Sequence, residues 1–290
     1  MAAVIERIIP YITLMKPRIA TLVGITAFVG AVSGAVDSDY LNIERIFIST
    51  VLVIMSAAGA AIMNNYLDRD IDRLMHRTRE RPLVSGRASS GIAIILSILL
   101  SGLSVILLYA LNPLSGFLAL LAIISYSLLY TIYLKRHTPW ASIIGSLPGA
   151  FPPVIGYAAT SGGIGIDALI LFSILFIWQP PHFWHLASML KKDYERAGIP
   201  VLPVVYGETF TRNLTFLFSM LMALFIVIPG VLDFTGKLYL YGSIVISLVW
   251  IMVSAGAYMG KVNNRLAFIL SNITVLLSFM LFAFDKLQHI

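Results

Sequence analysis

Residues 64–87 read NNYLDRDIDRLMHRTRERPLVSGR, with four carboxylates and six arginines set between two long apolar runs. That contrast decides the fold class. The whole chain is 59% hydrophobic and 12% charged, with a mean hydropathy of +0.90, whereas a soluble domain is about half apolar and about a quarter charged. Such a chain is a polytopic membrane protein, and the charged block is one of its connections at the membrane face. A spanning helix takes about 20 predominantly apolar residues. Nine segments qualify, centred near Phe28, Met55, Leu99, Leu121, Pro148, Leu171, Leu221, Ile246 and Leu276. The expectation is an all-α bundle of nine transmembrane helices, one domain over residues 1–290, around a central cavity open to the cytoplasmic side. The first twenty residues carry Glu6, Arg7, Pro10, Lys16 and Arg18 and do not read as a cleaved signal peptide. The sequence has no cysteine, which excludes disulfides, thiolate catalysis and sulfur-held metals together.

Basic residues stay on the cytoplasmic side of a membrane protein. With nine spans, the N-terminal segment and the even-numbered connections hold all but Arg45, Lys237 and Lys286 of the 20 Lys and Arg. The N-terminus and the charged block are therefore expected in the cytoplasm and the C-terminus outside, at the cell membrane. A net charge of +6 and a pI near 9.5 then follow from basic loops beside anionic lipid and imply no nucleic-acid partner. Two cytoplasmic segments mix acids with bases, DRDIDRLMHRTRERPL and KKDYERAGIPVLPVVYGE. Their parallel build suggests one site shared between two halves.

Asn64, Asp68 and Asp72 lie four residues apart, so on a helix they form one stripe of oxygen ligands. Mg²⁺ takes one or two carboxylates and completes its shell with water and substrate phosphate oxygens, which such a stripe suits. Asp70 points away from it and reads as a solvated charge. Arg77 and Arg81 follow closely, and guanidinium forks bind phosphate oxygens in pairs; Arg79 reads as a surface residue. In the second acidic segment Asp193 is the better candidate to face that stripe from across the bundle, with Lys192 beside it, whereas Glu195 precedes Arg196 and suits a solvent pair. Lys135 and Arg136 add bases from a short loop. His182 and His185, three apart on one helical face behind Pro180 and Pro181, leave several readings open: a zinc pair, contact with a flat and partly ionic substrate, haem ligation, or structural hydrogen bonds.

The ordered set NNYLDRDID, HRTRERPL, YTIYLKRHT, GAFPPVIGY, PPHFWHLA and KKDYERAGIPVLPVVYGE resembles the UbiA-type intramembrane prenyltransferases, and among them the protoheme IX farnesyltransferase group. The resemblance runs from about Lys16 to Arg212. It implies one magnesium site at Asn64, Asp68 and Asp72 with Asp193 on the partner segment, and diphosphate contacts from Lys135 and Arg136. It also implies farnesyl diphosphate and haem B as substrates, Mg²⁺ as cofactor, the lipid bilayer as surroundings, and a downstream haem A synthase as the partner such a product suggests. Two departures stand out. Ala197 occupies the position four after Asp193, where relatives often carry a second aspartate. Tyr130 lies five rather than four residues before Lys135. The rival readings are a prenyltransferase of the same superfamily with an aromatic or lipid acceptor, and a cation-coupled transporter.

Overall fold

Helices account for every regular element among the described residues, 2–38 and 41–288 of a computed structural model. The first five are α1 (Ala2–Leu14), α2 (Pro17–Asp37), α3 (Ile43–Leu67), α4 (Arg69–Leu74) and α5 (Ser90–Leu111). Next, α6 (Pro113–Ile124) runs through a π-helical stretch, Ser125–Leu134, into α7 (Lys135–His137). Then follow α8 (Ala141–Ile144), α9 (Ser146–Ser161), α10 (Ile166–Met189), α11 (Lys191–Arg196), α12 (Leu202–Val205), α13 (Gly207–Val231), α14 (Lys237–Tyr258) and α15 (Asn264–Leu287). Asparagines start three of the long ones: the side chains of Asn42, Asn112 and Asn263 accept first-turn N–H groups of α3, α6 and α15, which would otherwise lack partners.

Among the described residues eight helices are long and apolar enough to cross a membrane: α2, α3, α5, the continuous Pro113–His137 helix, α10, α13, α14 and α15. The ninth segment expected from hydropathy, centred on Pro148, is built differently. Gly145 separates the one-turn α8 from α9, which has 16 residues and is buried along most of its length. It still returns the chain across the bundle, because Lys135 before it reaches Asp68 at one end and Asp167 after it reaches Ser33 and Lys286 at the other. At 1.5 Å per residue α9 covers about 24 Å.

Its partner is α2, and the two helices meet backbone to backbone. A Cβ on Gly30 would lie 1.9 Å from the Pro153 carbonyl oxygen, and one on Gly156 would lie 2.0 Å from that of Ala27. Small residues permit this approach where lipid supplies no hydrophobic drive between helices. Apolar side chains of α10, α13, α14 and α15, among them Leu171, Met222, Trp250 and Phe279, form one buried core, and those of α2, α3, α5, α6 and α9 form another. Large apolar residues such as Ile95, Ile98, Leu103 and Ile106 of α5 face outward, as a lipid-facing surface requires.

The two ends differ. Away from the charged block, Asp167 is fully buried and pairs with Lys286 Nζ at 2.7 Å, and it also accepts the Ser33 hydroxyl. Asp37 accepts from Tyr157 at 2.8 Å and faces Lys286 at 3.5 Å, so α2, α9, α10 and α15 are bolted together. At the opposite end the C-termini of α3, α7 and α10 converge with the start of α2.

Candidate active site

Asp68 is the joint between α3 and α4, with φ −88° and ψ 0°. Hydrogen bonding carries straight across it: the Asp68 N–H donates to the Asn64 carbonyl at 2.9 Å, and the Asp72 N–H to the Asp68 carbonyl at 2.8 Å. The four-residue stripe therefore survives the joint. Asn64, Asp68 and Asp72 are 5%, 1% and 2% exposed, while Asp70 is exposed on the other face. Arg136 grips Asp70 with both guanidinium nitrogens, at 2.6 and 2.8 Å. That bond holds the Asp70 carboxyl at about 2 and turns Arg136 away from the stripe.

Each buried acid already has a cation. Asp68 Oδ2 accepts Lys135 Nζ at 2.6 Å and Asn64 Nδ2 at 2.8 Å, and Asp72 Oδ2 accepts Arg81 at 2.5 Å. Asn64 Nδ2 also reaches Thr131 Oγ1 at 3.2 Å, and Thr131 donates to the Tyr126 carbonyl at 2.8 Å. Asp68 Oδ1, in contrast, is buried with no hydrogen-bond partner. Lys16, at the α1–α2 junction, donates from Nζ to Asn64 Oδ1 at 2.8 Å, whereas by sequence alone it counts only among the topogenic charges.

The π-helical stretch explains how Lys135 arrives. Its N–H donates to the carbonyl of Tyr130, five residues back, and an i→i+5 coil places residues five apart as neighbours on one face. The five-residue step from Tyr130 to Lys135 is thereby accommodated by the backbone. Tyr126 and Tyr130 stack with ring centres 5.9 Å apart on the same stretch.

The second acidic segment packs against the first through Ile71, Met75, Ala197 and Ile199. Asp193 is buried, and its Oδ2 accepts the Arg77 backbone N–H at 3.0 Å while Oδ1 meets Arg196 at 3.3 Å. Burial pushes the Asp193 carboxyl up, yet the backbone N–H groups of Arg77 and His76 and the Arg196 charge together leave it below its ordinary value. Arg77 contributes its backbone here and its side chain is exposed, as are Lys192 and Arg79, the last paired with Glu80. Among the described residues no three His, Cys, Asp or Glu side chains converge to hold a metal alone.

Both histidines reach α15. His182 lies between Trp178 and Phe268, ring centres 4.6 and 4.2 Å away, with Nδ1 2.7 Å from Ser271 Oγ. His185 Nδ1 lies 2.9 Å from Asn264 Oδ1, and its Nε2 is buried without a partner. His185 also lines a cavity of about 350 Å³ with Glu208, Arg212, Tyr258 and Asn264.

The donor set fits a hard divalent cation. It offers the orphaned Asp68 Oδ1, the facing Asp72 carboxylate and the Asn64 amide, all oxygen, and Mg²⁺ leaves the rest of its shell to water and phosphate. Lysine and arginine beside those oxygens suit an anion carried with the metal.

A many-spanned helix bundle with this oxygen-and-cation centre at one end suits an intramembrane enzyme that handles a metal-bound anion. Residues 22–271 match the UbiA prenyltransferase family, and the chain belongs to that family. Its curated relatives include a protoheme IX farnesyltransferase of Neorickettsia sennetsu, 37% identical over 95% of this chain and 91% of the relative. One of Paracoccus denitrificans is 42% identical over 83% and 78%. Among solved structures, a UbiA homologue from Aeropyrum pernix K1 superposes with a TM-score of 0.76 at 21% identity, over 90% of this chain and 97% of that one. A UbiA homologue from Archaeoglobus fulgidus bound to DMAPP and Mg²⁺ gives 0.66 at 17% identity, over 97% and 99%.

Proposed function

We propose that the chain transfers a farnesyl group from farnesyl diphosphate to the 2-vinyl group of protoheme IX (haem B), producing haem O. The observation that supports it most is the single buried cluster of Asn64, Asp68, Asp72, Lys135 and Arg81, and the names of the curated relatives support the substrate pair.

In this reading Asn64, Asp68 and Asp72 hold Mg²⁺, with Asp193 serving from the facing segment. Bound there, the metal supplies Lewis-acid stabilisation of the leaving diphosphate. Lys135 and Arg81 meet the charge that develops as the allylic C–O bond breaks, and Arg77, Arg136 and Lys192 form the outer basic rim. The vinyl terminus bonds to the allylic carbon, and water adds at the other vinyl carbon with loss of a proton. The apolar bundle holds the fifteen-carbon tail and keeps bulk water from the allylic cation, while the stacked rings of Tyr126 and Tyr130 offer it their π-faces. His182 and His185 face the haem. The mouth and the N-terminus lie in the cytoplasm and the C-terminus outside the cell membrane, and the chain acts as one domain.

Purified protein given farnesyl diphosphate, haem B and Mg²⁺ should release pyrophosphate in step with haem consumption. Pyrophosphate release that ignores haem would count against the acceptor assignment.

A further inference from the structure

Lys16 stands apart from the other cations of the site. It is one of two non-glycine residues with positive φ among the described residues, at φ 50° and ψ 59°. An L-residue pays sterically for that left-handed conformation, and such strain persists where the surroundings enforce it, commonly at functional sites. Pro17 follows at once and starts α2, whose first turn is anchored on the Lys16 carbonyl through the N–H groups of Ile19 and Ala20. The sharp junction between α1 and α2 thus carries the Lys16 side chain to α3.

There it meets no acid. Lys135 and Arg81 are paired with Asp68 and Asp72 at 2.6 and 2.5 Å, but Lys16 has only the neutral Asn64 oxygen, at 2.8 Å. Three cations face two carboxylates in a partly buried cluster. Adding a divalent metal makes the imbalance worse, so the cluster is electrostatically complete only when a multiply charged anion enters with the metal. A topogenic lysine, in contrast, would extend into water.

We infer that Lys16 is a further diphosphate-binding residue: when the metal-bound substrate enters, its ammonium passes from Asn64 Oδ1 to a diphosphate oxygen and frees that amide oxygen for the metal. The inference rests on the diphosphate reading above and extends it to a residue outside the acidic and basic motifs.

The test measures Mg²⁺-dependent binding of farnesyl thiodiphosphate, a slowly ionising analogue, together with KM for farnesyl diphosphate and melting temperature, in unmodified protein, Lys16→Met and Lys16→Arg. A hydrogen bond to a charged group is worth roughly tenfold to hundredfold in affinity, so Lys16→Met should weaken analogue binding and raise KM by about that much. Lys16→Arg, which keeps the charge, should recover most of the loss. A purely structural lysine would lower the melting temperature in both variants without this split between them. Analogue binding and KM unchanged in a folded Lys16→Met, or equal loss in both variants, would overturn the assignment of Lys16 alone. Failure of the unmodified protein to bind the analogue in Mg²⁺ would overturn the diphosphate reading and this inference with it.

Discussion

Lys135 Nζ lies 2.6 Å from Asp68 Oδ2, although 67 residues separate them in the chain. One comes from the end of α3, the other from the end of a π-helical stretch, and neither helix alone could form the site. The pair occupies one oxygen of a buried carboxylate, and the other oxygen, Oδ1, has no hydrogen-bond partner. Asp68→Ala should therefore reduce turnover by at least about a hundredfold while the protein stays folded in detergent. Wild-type turnover in that variant would remove Asp68 from the site.

Metal withdrawal should act on the same cluster. Chelation with EDTA should abolish transfer, and Mg²⁺ added back should restore it, because among the described residues no three acidic or imidazole side chains converge to retain an ion without substrate. Transfer that persists after exhaustive chelation would contradict this.

Tyr130 tests the π-helical geometry. If its ring face is what the reaction uses, Tyr130→Phe should keep most of the rate and Tyr130→Leu should lose roughly tenfold, in line with a desolvated cation–π contact of about 2 kcal/mol or somewhat less. Equal rates in the two variants, measured at saturating substrate, would assign Tyr130 to packing alone.

The histidines should separate by stability. His182→Ala and His185→Ala should each weaken haem affinity with pyrophosphate affinity unchanged. His182→Ala should lose more melting temperature, because it also removes the stacking on Trp178 and Phe268 and the bond to Ser271. Haem affinity unchanged in both variants would place the haem elsewhere.

At the far end, removing Lys286 leaves the fully buried Asp167 carboxylate without its cation and should cost about 3–5 kcal/mol. Lys286→Ala should lower the melting temperature clearly, with KM for both substrates unchanged in the protein that remains folded. A melting temperature equal to wild type would mean the pair does not bolt α2, α10 and α15.

Much of this was legible in the residues themselves. The stripe of Asn64, Asp68 and Asp72 needs only helical spacing, and the exposed Asp70 follows from the same geometry. Eight spans follow from length and hydropathy. The segment around Pro148 also showed its apolar character, but a hydropathy window cannot show that Gly145 splits it or that glycines pack α9 against α2. Lys16 was hidden because a lysine before a juxtamembrane proline has the composition of a topogenic charge; only the left-handed backbone turns it inward. The π-helical stretch has no residue signature either, since the five-residue step from Tyr130 to Lys135 places the two on one face only when the helix widens. The pairing of each acid with its own cation is likewise a tertiary property.

The most direct measurement is the mass of the product formed by purified protein from haem B, farnesyl diphosphate and Mg²⁺. The account predicts haem enlarged by one farnesyl group and one molecule of water's hydroxyl, the hydroxyethylfarnesyl side chain of haem O, with none formed by Asp68→Ala. Unaltered haem, alongside a prenylated aromatic or lipid acceptor when one is supplied with its own prenyl diphosphate, would contradict it.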